Sequence, residues 1–135
     1  MTEGSRKCRV LSVSGGGAKG AYEVGAIHEL VNTFEFPDSH YDVISGVSVG
    51  SINAAGAGLF GKDEDKEMGE FLKSMWYNLT NDQVYRMWNP LNPITGITEK
   101  AGLLDNTPFH DFLIRILKEK GTEYKKRVLV SANDA

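Results

Sequence analysis

A serine with a glycine two residues away on either side is the feature of this sequence best suited to covalent chemistry. In Gly46-Val47-Ser48-Val49-Gly50, a β-branched run precedes the motif and small residues follow it. That order predicts a strand, a sharp turn with the serine at its tip, and a helix. The serine hydroxyl would project from the turn, close to N–H groups at the helix N-terminus. Ser48 is therefore a candidate nucleophile for acyl transfer.

A second glycine-rich segment, Gly15-Gly16-Gly17-Ala18-Lys19-Gly20, lies between a predicted strand and a predicted helix. The strand covers residues 9–14, and we expect it to be short and buried. The N–H groups of Gly16 and Gly17, together with that of Val49, are candidates for stabilising an oxyanion above Ser48. The helix is indicated by apolar residues at helical spacing, which are Val24, Ile27, Leu30 and Val31.

Each motif alone has another interpretation. Ser48 alone fits an ordinary helix N-cap in a glycine-rich turn. Gly15-x-Gly17-x-x-Gly20 also fits the fingerprint of dinucleotide-binding domains. That fingerprint needs an acidic residue about 20 residues further on, at the end of the second strand. Here the second strand runs into Gly46, and Asp38 lies in a turn before that strand, which disfavours a dinucleotide site.

The composition excludes several classes of protein. With 135 residues the chain has room for one domain with a real core, which we assign to residues 9–135 after a tail of residues 1–8. The net charge of −3 and the lack of a basic run argue against nucleic acid as a partner. Cys8 is the only cysteine, so neither an intrachain disulfide nor a cysteine-built metal site can form.

The sequence shows no signal peptide and no apolar run long enough to span a bilayer. We therefore expect a cytoplasmic or peripherally membrane-associated protein. The His, Cys, Asp and Glu residues have no spacing typical of metal ligands, and we predict neither a metal nor a cofactor.

The order of predicted elements indicates an α/β fold with a parallel sheet, because a helix separates the first strand from the strand before Ser48. After the helix that follows Ser48, we expect residues 56–61 to loosen the chain. An amphipathic helix comes next, and we assign its apolar face to the core rather than to lipid. That face consists of Met68, Phe71, Leu72, Met75, Trp76 and Leu79.

The rest of the chain is predicted to hold a short helix within residues 80–88 and a loop over residues 89–102. Thr107 is predicted to cap a further helix, with Pro108 at its first position, that stops before Gly121. A third buried strand is predicted at residues 127–131. An α/β domain normally continues past such a strand into a covering helix, so we expect a domain truncated at its C-terminus.

Taken together, the two glycine motifs resemble those of the patatin-like phospholipase family. The matching segments are residues 14–20, Ser-Gly-Gly-Gly-Ala-Lys-Gly, and residues 46–54, Gly-Val-Ser-Val-Gly-Ser-Ile-Asn-Ala. Residues 102–109 and 130–134 are similar to later segments of the family. The resemblance covers nearly the whole chain and implies a three-layer α/β domain, of which residues 9–135 are the N-terminal part.

The resemblance implies a lipid acyl hydrolase with a Ser–Asp dyad that acts on a glycerolipid or phospholipid, in contact with a membrane or lipid droplet. Ser48 would be the nucleophile, and Gly15, Gly16 and Gly17 would form the oxyanion hole. Lys19 occupies the family's basic position and could support the loop or meet a lipid phosphate. Ser14 replaces an aspartate found in some members, which we expect to matter little. The remaining motif residues are Gly20, Gly46 and Gly50.

The family's aspartate lies in an Asp-Gly-Gly or Asp-Gly-Ala segment, which we expect beyond residue 135. Asp134, followed by alanine, echoes that segment but directly follows the third strand. Asp105 and His110 satisfy the chain order of a Ser–acid–His triad, yet they stand too close together in sequence. We expect His28 to be packed or at the surface, and His40 to be solvated. The alternative function is an inactive fragment that binds lipid or a partner.

Overall fold

The computed structural model describes residues 7–35, 38–87, 105–121 and 123–131. The chain divides into two units, Met1–Trp76 with Glu123–Asp134, and Tyr77–Thr122 with Ala135. The first unit holds a parallel sheet of three strands, whose spatial order is β1 (Val10–Val13), β2 (Val43–Val47) and β3 (Arg127–Ser131). The predicted α/β fold with a parallel sheet is confirmed.

The register of the sheet sets the carboxyl ends of its strands side by side. Val13 of β1 pairs with Gly46 of β2, and Gly46 pairs with Val130 of β3. The first glycine-rich segment follows β1, and Ser48 follows β2. Both motifs therefore leave the sheet at the same edge, where ligands of open parallel sheets bind.

In the described part of the first unit, three helices accompany this sheet. They are α1 (Gly20–Thr33), α2 (Val49–Gly58) and α3 (Asp65–Tyr77), and a short 3₁₀ turn over Gly17–Lys19 leads into α1. The predicted core orientation of α3 is confirmed, since Met68 and Leu72 are fully buried and Met75 nearly so. None of the helices in the described ranges has both the length and the apolar character needed to cross a bilayer.

The glycines late in α2 belong to the helix, so the prediction that the chain loosens from Gly56 is wrong for this part. A β-carbon on Gly56 would lie 2.9 Å from Leu72 Cδ2, and one on Gly58 would lie 2.2 Å from Val128 Cγ2. These positions let α3 and β3 approach the helix backbone. Here close packing rather than flexibility accounts for the glycines.

The outer strands are more exposed than predicted. Val13 and Ile44 are buried, but Val10, Leu129 and Val130 expose 58%, 63% and 55% of their surface. The predicted burial of the first and third strands is therefore wrong for most of their residues. An apolar run predicts a strand, but it does not show which faces of that strand other elements cover.

A buried charged cluster lies at the opposite, amino-terminal end of the strands. Asp65, the first residue of α3, accepts a hydrogen bond from Lys126 Nζ at 2.8 Å, and His40 Nδ1 lies 3.2 Å from its other oxygen. All three residues are buried. The prediction that His40 is solvated is wrong, because α3 covers the turn that precedes β2.

The second unit contains α4 (Asn81–Val84) and α5 (Thr107–Lys120). Arg86 and Asp105 pair as an isolated antiparallel bridge.

The predicted cap of α5 is displaced by one residue or more, since the helix begins at Thr107 itself. The Asp105 carboxylate accepts the Thr107 N–H at 3.0 Å. Hydrogen bonds from the Thr107 hydroxyl and N–H, with the nearby Arg86 guanidinium, lower the pKa of Asp105 to about 2. The predicted loop at residues 89–102 lies outside the described residues.

Candidate active site

Ser48 occupies the single-residue turn between β2 and α2. Its backbone has φ 56° and ψ −127°, in the region of positive φ that residues with a β-carbon seldom adopt. Such a conformation costs about 1–3 kcal/mol and persists only where the surrounding structure enforces it. The Ser51 N–H donates to the Ser48 carbonyl at 2.8 Å, which begins α2 directly after the turn. The predicted strand, turn and helix are all present, with Ser48 exposed at the tip.

Gly46 and Gly50 permit this turn for different reasons. A β-carbon on Gly46 would lie 2.0 Å from the Gly50 carbonyl oxygen, so strand and helix could not meet if Gly46 carried a side chain. A β-carbon on Gly50 would instead lie 2.5 Å from the carbonyl oxygen of Ser14 and 2.6 Å from that of Val13. Because Gly50 has no side chain, the start of α2 can pack directly against the end of β1.

The glycine loop, residues 15–17, lies directly against Ser48. A β-carbon on Gly15 would be 3.1 Å from Ser48 Cβ and 3.7 Å from Ser48 Oγ. Gly17 has φ 57°, and Gly16 has φ 159°. The two motifs, which are about 30 residues apart in sequence, thus form one site.

Lys19 lies beside the same loop. Its aliphatic stem packs on Gly16, where a β-carbon would lie 3.3 Å from Lys19 Cβ and 3.5 Å from Lys19 Cδ. Among the described residues its ammonium group has no hydrogen-bond or ion-pair partner. Within the described ranges, a lysine without a charged partner therefore lies against the loop that contacts Ser48.

The three histidines, and the aspartate considered with His110 for a triad, have partners other than Ser48. His28 Nε2 lies 2.6 Å from Glu70 Oε1, a contact that lowers the pKa of that carboxyl, and His40 belongs to the buried cluster. The Asp105 carboxylate is bound to Thr107 and Arg86, while His110 Nδ1 lies 3.5 Å from Asp111 Oδ1. In the part of the chain that the structure describes, the Ser48 hydroxyl has no hydrogen-bond partner. Asp134 lies outside that part.

Glu23 and Asn53 connect the glycine loop to α2, and neither was predicted from the sequence. Glu23 Oε1 accepts the Ser14 N–H at 2.9 Å and the Ser14 hydroxyl at 2.8 Å. Asn53 Nδ2 donates to Glu23 Oε2 at 3.2 Å and to the Gly20 carbonyl at 3.1 Å. Trp76 Nε1 in turn donates to Asn53 Oδ1 at 2.8 Å. The one sequence feature that could have indicated this role is that Asn53 is an asparagine among the small residues of α2.

Ser51 is a further residue that the sequence argument missed. Its hydroxyl lies 2.9 Å from the Gly46 carbonyl oxygen and 3.1 Å from that of Ser131. The first turn of α2 is thereby tied to the carboxyl ends of β2 and β3. These bonds help to enforce the conformation of the turn at Ser48.

The site can be compared with known proteins. The family model for patatin-like phospholipase matches residues 11–132. A cGAMP-activated phospholipase from Vibrio cholerae serotype O1 is 28% identical over 133 residues, covering 90% of the chain and 37% of that relative. The chain thus spans little more than a third of the relative's length. Comparison with solved structures gives no significant match.

The family match contains both glycine motifs, and it agrees with the resemblance drawn from those motifs in the sequence. Because it extends over most of the 135 residues, the chain belongs to the patatin-like phospholipase family.

Proposed function

We propose that the protein hydrolyses acyl esters of lipids and that Ser48 is its nucleophile. The contact between Gly15 and the strained Ser48 supports this most directly. A serine hydroxyl beside a run of glycine N–H groups is the combination that acyl transfer requires. An ordinary helix N-cap needs neither the strained serine nor the adjacent glycine loop.

In this mechanism Ser48 Oγ attacks the ester carbonyl carbon while its proton passes to a carboxylate. The negative charge on the tetrahedral intermediate is stabilised by N–H groups of the glycine loop and of Val49. Collapse of the intermediate releases the alcohol, which takes up the proton, and leaves an acyl group on Ser48. Water then attacks this acyl-enzyme, and the fatty acid departs as Ser48 regains its proton.

The carboxylate is the part of the dyad that we place outside the described residues. A serine hydroxyl is a weak nucleophile at neutral pH without a neighbouring base. Since the described part of the chain offers Ser48 no such partner, we assign the base to an aspartate beyond residue 135. Asp134 is the second candidate for that role.

Lys19 favours a substrate that carries a phosphate. A free ammonium beside the glycine loop attracts an anionic headgroup, whereas a triacylglycerol offers it no charge. We therefore propose a phospholipid, presented at a membrane surface, ahead of a neutral lipid. The relative from Vibrio cholerae is named as cGAMP-activated, so assays should be run with and without cGAMP.

The experiment compares ester hydrolysis by the parental protein, Ser48→Ala and the control Ser45→Ala, in a form that extends beyond residue 135. The Ser45 hydroxyl bonds to Ser12 within the sheet, so its loss should leave turnover unchanged. Ser48→Ala should reduce turnover by several orders of magnitude on phospholipid vesicles. Lipid binding without hydrolysis by the parental protein would instead favour the inactive, lipid-binding alternative.

A further inference from the structure

We propose that Glu23 is a positioning residue that fixes the glycine loop relative to α2, the helix that follows Ser48. The catalytic part of this inference rests on the proposed function, while the positioning part does not. Glu23 lies in the first turn of α1, and its two carboxylate oxygens bind different elements. Oε1 accepts two hydrogen bonds from Ser14, and Oε2 accepts one from Asn53.

Ser14 is the residue from which the glycine loop begins, and it is fixed on two sides. Its N–H and hydroxyl both donate to Glu23. Its carbonyl oxygen lies against Gly50, where a β-carbon would be only 2.5 Å away. The position of Gly15, and hence its contact with Ser48, follows from these two restraints.

Asn53 supplies the other end of the connection. It is 1% exposed, lies in the helix that starts directly after Ser48, and bonds to both Glu23 and the Gly20 carbonyl. Trp76 of α3 fixes its amide orientation by donating to Oδ1. A buried amide with all these partners has one preferred position, so Glu23 is bound to a rigid group rather than to a mobile side chain.

This arrangement gives the residue at position 14 a specific role, whereas from the sequence alone we expected the exchange of aspartate for Ser14 to matter little. A serine donates two hydrogen bonds to the carboxylate of Glu23. An aspartate at position 14 would instead set a second negative charge beside that carboxylate, and like charges at such a distance repel. Ser14 and Glu23 therefore form a matched pair, and changing one of them should be corrected by changing the other.

The test measures amide hydrogen exchange by NMR at two positions that report on the loop, together with turnover. The Ser14 amide donates to Glu23, and the Lys19 amide donates to the Gly16 carbonyl at 3.2 Å. In Glu23→Ala we expect both amides to exchange about tenfold faster or more, given the usual strength of hydrogen bonds to a charged group. The Ile44 amide in β2 should be unchanged, which separates local loosening from general destabilisation.

Two controls make the result specific. Glu29→Ala removes another carboxylate of α1, whose one hydrogen-bond partner within the described residues is Thr33, and it should leave both amides protected. Ser14→Asp should loosen the loop as Glu23→Ala does. Adding Glu23→Gln to Ser14→Asp should restore protection of the Lys19 amide, because the glutamine NH₂ group can donate to the new carboxylate while its oxygen accepts from Asn53.

Catalysis supplies the second readout. Glu23→Ala should lower kcat about tenfold with KM changed less than twofold, since a displaced loop affects the transition state more than ground-state binding. If no form hydrolyses lipid, the proposed function fails, but the Lys19 amide still reports on positioning. Unchanged exchange at Lys19 in Glu23→Ala, or no rescue of Ser14→Asp by Glu23→Gln, would overturn the inference.

Discussion

A β-carbon on Gly46 would lie 2.0 Å from the carbonyl oxygen of Gly50, closer than any two such atoms can approach. The end of β2 and the start of α2 are therefore in backbone contact on either side of Ser48. This contact enforces the positive φ of 56° at the serine. The geometry of the site thus depends on Gly46, a residue that takes no part in the proposed reaction.

Gly46→Ala should consequently disrupt the turn. Because the atoms it would meet belong to the backbone, they cannot move aside as a flexible side chain would, and we expect a loss of about 3 kcal/mol or more in the free energy of unfolding. The matched control is Gly25→Ala in α1, where a new β-carbon meets nothing within 4 Å. That variant should be neutral or up to about 1 kcal/mol more stable in urea denaturation. Equal stability of the two variants would contradict the assigned contact.

Gly16→Ala tests the glycine loop as an oxyanion hole. Donors to an oxyanion act mainly in the transition state, so kcat should fall roughly a hundredfold or more while KM changes little. Gly121→Ala introduces a side chain at another positive φ, 119°, at an exposed helix end in the second unit. It controls for backbone strain alone and should leave kcat unchanged. An unaltered kcat in Gly16→Ala, with weakened nucleotide binding, would support a dinucleotide site instead.

Lys126→Met should destabilise the first unit by about 3 kcal/mol, because it leaves Asp65 buried without its charged partner. The neighbouring Lys125 offers a matched control. Its bridge to Glu64 lies at the surface, with the lysine side chain 51% exposed. Lys125→Met should therefore cost at most about 1 kcal/mol in denaturant unfolding. Similar losses in the free energy of unfolding for both variants would show that burial of the ion pair does not set its contribution to stability.

The Asp105 carboxylate should make stability depend on pH in the acid range. Its pKa in the folded chain is about 2, whereas an aspartate in an unfolded chain titrates near 3.9. The folded state therefore gains stability above about pH 4, and this gain is lost as the pH falls through 2. The difference in unfolding midpoint between the parental protein and Asp105→Asn should be large at pH 6 and shrink towards pH 2. Asp111→Asn is the matched control, because its side chain in α5 is 72% exposed, and it should show a smaller pH trend.

Local patterns predicted much of this structure. The bounds of β3 match residue for residue, and the apolar spacing of α3 correctly assigned Met68 and Leu72 to the core. The turn at Ser48 was predictable because its glycines and its flanking residue types are contiguous in the sequence. In each of these cases the determining information lies within one element.

What could not be predicted depends on contacts between distant elements. His40 is buried beside Asp65 at the start of α3, which also binds Lys126 before β3, and the sequence neighbours of His40 give no sign of that. Glu23 has the spacing of an ordinary helix residue, and only the fold sets it beside Ser14 and Asn53. The exposure of Leu129 likewise follows from which faces of the sheet are covered.

The role of Ser48 can be tested most directly by covalent modification. A fluorophosphonate reacts with a serine only when that serine is activated and an oxyanion hole is present, so the mass of the labelled peptide identifies the nucleophile. In the protein extended beyond residue 135, we predict a single adduct on Ser48, absent from Ser48→Ala and retained in Ser45→Ala. An adduct on another serine, or lipid hydrolysis that persists in Ser48→Ala, would contradict the assignment.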